Sequence, residues 1–189
     1  MKIGKRIIPL LVLCIFLSGC AVTPTKYVNN YLKEFRSNLQ SSFMPEDSGL
    51  MQNHKELSDL LKELIEDFDY TVGKETVNGN SAEVEVTIQA YAMGEAFEET
   101  LTEYITEAMA AIVSGDTDKD LTNLMYEIWE EKILEYKAKG KTYSETLKLK
   151  MNKNGKEWVM QEDTTIALIN AVTGNLWILM QTYADALQQ

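Results

Sequence analysis

From Ala82 to Ala90 the chain alternates without a break: Ala82, Val84, Val86, Ile88 and Ala90 are apolar, while Glu83, Glu85, Thr87 and Gln89 are polar. A period of two puts one set on each face of an extended strand. The stretch therefore belongs to an antiparallel sheet with one buried and one wet face. Tyr70 to Val77 come before it across Asn78-Gly79, a pair suited to a two-residue hairpin turn. A second hairpin is expected from Tyr143 to Met160. Leu147, Leu149 and Met151 alternate with polar residues, a turn falls within Asn152 to Gly155, and Lys156 to Met160 return with Trp158 and Met160 facing the core. Two hairpins cannot bury their apolar faces alone, so helices must cover them.

The helical periods supply that cover. Thr23-Pro24 starts a first helix, with the hydroxyl as cap and proline at the first helical position, and Tyr27, Val28, Tyr31, Leu32, Phe35 and Leu39 form its apolar side. A break containing Pro45 follows, and a second helix from about Lys55 carries Leu57, Leu60, Leu61, Leu64, Ile65 and Phe68. After the first hairpin, a third helix places Phe97, Leu101, Tyr104, Ile105, Ala108, Met109 and Ile112 on one face. A fourth begins at Leu121, capped by the aspartates before it, and ends near Gly140. The last segment, from Asp163, is apolar nearly all round and is interrupted at Gly174-Asn175; any part of it left exposed would point to a partner. The order is helix, helix, hairpin, two helices, hairpin, helix. That is an α+β domain in which an antiparallel, curved sheet of two hairpins packs on helices.

The first 20 residues have a different purpose. Lys2, Lys5 and Arg6 form a positive start, and Ile7 to Leu17 an uncharged apolar run that is too short to span a bilayer. It closes on Leu17-Ser18-Gly19-Cys20, which resembles the bacterial lipoprotein signal at every position. The resemblance implies cleavage before Cys20 and a diacylglyceryl thioether on its sulfur, two acyl chains being enough for stable anchoring. The expected organisation is a signal peptide over 1–19, a lipidated N-terminus and short tether over 20–25, and one domain over 26–189, held at the extracytoplasmic face of the cell membrane.

Charge and cysteine usage narrow the chemistry. The full chain carries 18 basic and 29 acidic residues; losing Lys2, Lys5 and Arg6 with the leader leaves 15 against 29, a net charge of −14. A surface this acidic is repelled by nucleic acid and by anionic lipid, so the membrane contact is expected through the acyl group alone. Of the 2 cysteines, Cys14 leaves with the leader and Cys20 carries the lipid, so no thiol remains for a disulfide, a metal cluster or a nucleophile. His54, the single histidine, stands at a helix start and reads as a solvated residue. Asp116, Asp118 and Asp120, with Glu127 at the twelfth position, superficially match a calcium loop. The sixth position is Leu121 where the sharp turn needs glycine, so the aspartates read as caps and no metal or cofactor is expected. Glu95, Glu99, Glu103 and Glu107 recur every four residues along the third helix. Like charges at this spacing oppose the helix by about 0.2–0.5 kcal/mol per pair. The stripe is either a solvated face or a site for a cation or basic partner.

Together with the lipobox, the element order is similar to that of small, mostly uncharacterised lipoproteins of Gram-positive bacteria, whose domain is cystatin-like or similar to nuclear transport factor 2. Tyr27 to Leu39, Tyr91 to Phe97 and Ala167 to Gly174 carry the likeness. It implies a cone-shaped sheet that encloses a pocket, for which Tyr91, Tyr143 and Trp158 are the lining candidates, and it carries over no catalytic residue. The extended fourth helix departs from the simplest form of that fold. Two functions compete. One is a non-enzymatic, membrane-tethered domain that binds a ligand or an envelope protein. The other is a small hydrolase or isomerase using a pocket carboxylate and a tyrosine hydroxyl.

Overall fold

A computed structural model of the chain describes residues 22–43, 54–116 and 120–186, the side chains of 39–43 excepted. The leader, Cys20 and Asp118 lie outside the described residues. In chain order the elements are α1 (Pro24–Phe43), α2 (Lys55–Glu66), β1 (Asp69–Asn78), β2 (Ser81–Ala90), α3 (Met93–Ser114), α4 (Leu121–Lys139), β3 (Tyr143–Asn154), β4 (Glu157–Met160), α5 (Glu162–Val172) and α6 (Leu176–Ala186).

The four strands form one antiparallel sheet in the order β1-β2-β3-β4. The expected alternation holds along β2: Val84, Val86, Ile88 and Ala90 are fully buried, and Leu149 and Met151 of β3 lie on the same side. On the other face Glu83 is opposite Lys150, Glu85 opposite Lys148 and Thr87 opposite Thr146. That face is cross-linked by polar contacts, with a Lys148–Glu83 ion pair at 3.1 Å and a hydroxyl pair at 2.9 Å between Thr87 and Thr146. The turns fall slightly later than the sequence suggests. Gly79-Asn80 closes the first hairpin, because Asn78 still pairs with Ser81, and Gly155-Lys156 closes the second, because Asn154 pairs with Glu157. In both, the glycine takes a left-handed φ, +59° and +64° respectively, which a side chain rarely adopts.

α1 and α5 cover the apolar face, α1 over β1 and β2, α5 over β2 and β3. The start of α1 is tied to both edges of the sheet. The Trp158 indole of β4 donates to the Val22 carbonyl at 3.1 Å, and Glu75 of β1 accepts from the backbone N–H and the hydroxyl of Thr25 at 2.8 and 2.6 Å. Glu75 reaches the helix because one extra residue between Val72 and Glu75 shifts the pairing, so that Glu75 and not Lys74 stands opposite Val84. Thr23 caps α1 locally, accepting from the Lys26 N–H at 3.2 Å. The core runs from Val28 on α1 through Leu61 on α2 and Ile133 on α4 to Leu176 on α6, all fully buried.

The remaining helices pack on one another. α4 lies against α3 and α2, and α6 against α3 and α5. Asp120 caps α4, its carboxylate accepting from Thr122 and Asn123 N–H groups at 3.1 Å, as the aspartate-rich segment suggests. The interruption in the last apolar segment is a sharp joint between α5 and α6. Gly174 and Asn175 have φ of +53° and +69° there. The buried Asn170 holds the joint, donating to the Asn175 side chain at 2.9 Å and accepting from the Ile178 N–H at 3.1 Å, which also caps α6. No helix among the described residues is long and apolar enough to cross a membrane.

Candidate functional site

α3 presents the two surface features of interest, an acidic side and an apolar side, and both follow from where it starts. Its first turn has no side-chain cap. Instead the Gly94 N–H donates to the Gly174 carbonyl at 2.8 Å, so the α5–α6 joint closes the helix start. From there α4 returns antiparallel on one flank and α6 runs parallel on another, with Leu179 against Gly94 and the Tyr183 ring edge-on to Phe97 at 6.0 Å.

On the α4 flank, the glutamate stripe meets compensating groups. The Tyr136 hydroxyl donates to Glu99 Oε1 at 2.8 Å, and Lys132 Nζ lies 2.8 Å from Glu103 Oε2 and 3.7 Å from Glu135 Oε1. The stripe is thus divided. Glu99 and Glu103 are engaged by α4, Glu95 stands at the rim, and Glu107 lies exposed beyond them in the far half of α3. Glu95, Glu98, Glu99 and Glu103, with Lys132 and Tyr136, line an open cleft of about 490 Å³ between the two helices. Burial, and then the Glu99 hydrogen bond and the nearby carboxylate charges, push the Tyr136 hydroxyl up to about 12, so it is a neutral donor at physiological pH. The hydrogen bond to Glu103 raises Lys132, which stays charged. The cleft therefore already holds a cation of its own. Among the described residues, no group of three or more histidine, cysteine or carboxylate side chains is placed to hold a metal ion.

The three aromatic candidates do not share a site. Tyr143 pairs with Ala90, next to Tyr91, at one end of the sheet, whereas Trp158 pairs with Lys153, ten residues along β3. At about 3.3 Å per residue these ends are roughly 33 Å apart. Tyr91 donates to Asp67 at 2.8 Å in a surface cluster where Lys141 bridges Asp67 and Asp69 at 2.8 and 2.9 Å. Tyr143 donates to Glu145 at 2.5 Å, and burial, then that hydrogen bond, raise its hydroxyl above the ordinary range. Trp158 is a buried structural residue that holds the start of α1. His54 is half-buried and stacks on Tyr126 of α4 at 3.9 Å. None of the described aspartates and glutamates is buried.

On its other flank α3 departs from the expected pattern. Phe97 is buried, and Leu101, Tyr104 and Ala108 are half-buried, but Ile105, Met109 and Ile112 are 59%, 56% and 67% exposed, followed by Val113 at 83%. The cause is how little of α6 packs on α3. α6 meets only the first turn of α3, with Leu179 at Gly94 and Tyr183 at Phe97, and every residue of α6 from Met180 to Ala186 is exposed. α6 itself leaves Ile178, Met180 and Tyr183 exposed. The sequence marks this apolar row through its period, while its exposure depends on how little of α6 packs on α3.

Among solved structures, the chain is similar to that of a "putative lipoprotein (ycdA)" from Bacillus subtilis subsp. subtilis str. 168, with 16% identity and a TM-score of 0.42. The likeness covers 76% of this chain and 46% of that one, so this chain spans under half the length of that protein. No family model and no curated protein matches the chain.

Proposed function

We propose that this chain is a lipid-anchored domain at the extracytoplasmic face of the cell membrane and that it binds another protein through the outer surface of α3 and α6. The observation that carries the binding reading is the exposed row of Ile105, Met109, Ile112 and Val113 on α3. Exposed large apolar side chains are common singly; a row of them along one helix marks an interaction surface. The anchor reading rests on the lipobox at Leu17 to Cys20, in keeping with the Trp158–Val22 hydrogen bond, which fixes the chain into the domain two residues after the cysteine. A cystatin-like or transport-factor-like architecture is the finer form of this reading. It is motivated by a helix laid across a meander of four antiparallel strands.

Two measurements test the proposal. Cys20→Ala should release the protein from the membrane fraction and abolish fatty-acid labelling; a variant that still sediments with membranes, unlabelled, overturns the anchor. Bifunctional cross-linking of intact cells should trap a complex with the unaltered chain and not with Ile105→Asp/Met109→Asp. A complex of equal yield with the double variant overturns the binding surface.

A further inference from the structure

We infer that the end of the sheet formed by its two hairpin turns rests on the headgroups of an anionic bilayer, with Lys153 and Lys156 meeting the lipid phosphates. The inference deepens the anchor reading above, on which it rests, and gives the domain an orientation on the membrane.

The tether decides which end faces the lipid. The Val22 carbonyl accepts the Trp158 indole N–H at 3.1 Å, and Trp158 stands opposite Lys153 beside the Gly155-Lys156 turn. The other turn lies next to this one, the Lys153 N–H donating to the Asn80 carbonyl at 2.7 Å. Val22 and both turns therefore share one end of the sheet. Cys20 comes two residues before Val22, and two residues reach at most about 7 Å. A lipid on that sulfur accordingly holds this end at the bilayer surface. The opposite end, where Gln89 pairs with Asp69 and Ser144, is ten residues away along β3, roughly 33 Å.

Charge changes along the same axis. A net charge of −14 would repel anionic lipid if it were spread evenly over the domain. At physiological salt, however, a charge is felt over only about 8 Å, so the outermost layer decides. The turn from Asn78 to Ser81 has no charged residue, and Lys153 to Glu157 contribute two exposed lysines against one glutamate. Lys26, exposed in the first turn of α1, adds a third cation near Val22, while the neighbouring Glu75 is half-buried and taken up by Thr25. The next carboxylates lie further back. Glu83 stands opposite Lys150, and Glu162 and Asp163 follow Gln161, whose N–H donates to the Lys150 carbonyl. That level is four residues behind Asn154, roughly 13 Å. A tilt that brought the acidic helices down would meet repulsion, which favours the same orientation. Val77 and Val159, exposed beside the two turns, supply apolar contact at the interface.

The test uses the full acylated chain reconstituted into vesicles of phosphatidylcholine, with or without phosphatidylglycerol. Cys14 leaves with the leader and Cys20 carries the lipid, so Asn154→Cys or Gln89→Cys supplies a single thiol for a fluorophore, read against a headgroup-attached quencher. With phosphatidylglycerol, quenching should be strong at position 154 and weak at 89. Lys156→Gln, a change in the turn itself, should lower the ratio of docked to undocked molecules about fivefold. Adding Lys153→Gln should lower it about fivefold again. Equal quenching at the two positions, or quenching at 154 that is the same without phosphatidylglycerol and in both lysine variants, overturns this inference and leaves the anchor standing. A chain that carries no acyl group and stays off the vesicles overturns both.

Discussion

Gly94 and Gly174 meet backbone to backbone, the N–H of the first on the carbonyl of the second at 2.8 Å, and neither has room for a side chain. A Cβ on Gly174 would lie 1.9 Å from the Tyr91 carbonyl oxygen, and one on Gly94 would lie 2.8 Å from the Gly174 carbonyl oxygen. The contact joins two segments 80 residues apart, the β2–α3 corner and the α5–α6 joint, and it sets where α6 lands on α3.

Gly174→Ala should therefore be severe. The substitution combines a backbone clash with a left-handed φ of +53°, and a loss of about 3 kcal/mol or more is expected. Urea denaturation measures it. A loss under about 1 kcal/mol would mean that the joint moves aside without cost.

Alkaline stability should depend on Tyr136. Its folded value of about 12 lies above the ordinary 10.0, so above pH 10 the unfolded chain releases this proton while the folded chain keeps it. Stability from this group is full below pH 10 and declines as pH rises toward 12. Tyr136→Phe should lower stability near neutrality by about 1 kcal/mol, through the lost Glu99 hydrogen bond, and should flatten the alkaline decline. An unchanged slope above pH 10 would show that Tyr136 titrates normally.

Lys141 should act at the other end of the pH scale. Its hydrogen bond, followed by that from Tyr91, lowers the Asp67 carboxyl below its ordinary value of 3.8. The resulting stability is present above that value and fades as pH falls through the lowered one. Because Asp67 is 54% exposed, Lys141→Met should cost less than about 1 kcal/mol at neutral pH. The gap from the unaltered protein should close toward pH 2, as acid-denaturation curves would reveal.

The long-range cap on α1 is separable from the local one. Glu75→Ala removes both acceptor contacts to Thr25 while leaving the Thr23 cap in place. A loss of about 1–2 kcal/mol is expected, the range of an N-cap deletion. A neutral result would assign the capping to Thr23 alone.

Polar substitution of the exposed row should leave the fold alone. Ile105→Ser with Met109→Ser, at positions more than half exposed, should shift stability by less than about 0.5 kcal/mol. A loss of 2 kcal/mol or more would mean that these side chains are packed, removing the docking surface.

Much of the architecture was legible because local signals and tertiary demands agree. The β2 alternation reads directly as a half-buried strand, Thr23-Pro24 as a helix start, Asp120 as a cap and Gly174-Asn175 as an interruption. Other features lay beyond local pattern. The extra residue before Glu75 changes which side chain faces inward without disturbing composition, so a carboxylate on the covered face could not be anticipated. The i, i+4 glutamates were plain, but their neutralisation depends on the return register of α4, which sets Lys132 opposite Glu103 and Tyr136 opposite Glu99. Periodicity likewise identifies the apolar side of α3 and is silent on how little of α6 packs against it. Tyr91, Tyr143 and Trp158 are candidates for one pocket only through the resemblance to a cone-shaped sheet, and the strand register separates them.

The bond between Trp158 and Val22 joins positions 136 residues apart, and that separation bears on the order of assembly. In a chain synthesised amino terminus first, residue 22 emerges long before residue 158, so the first helix cannot complete its docking until the last strand arrives. Closing so long a loop is slow compared with forming a hairpin. If Cys20 is acylated as proposed, folding is expected to finish at the bilayer surface, with the start of α1 locking last. Pulsed hydrogen exchange during refolding should show the early amides of α1 protected no sooner than those of β4, and earlier protection would refute this sequence of events.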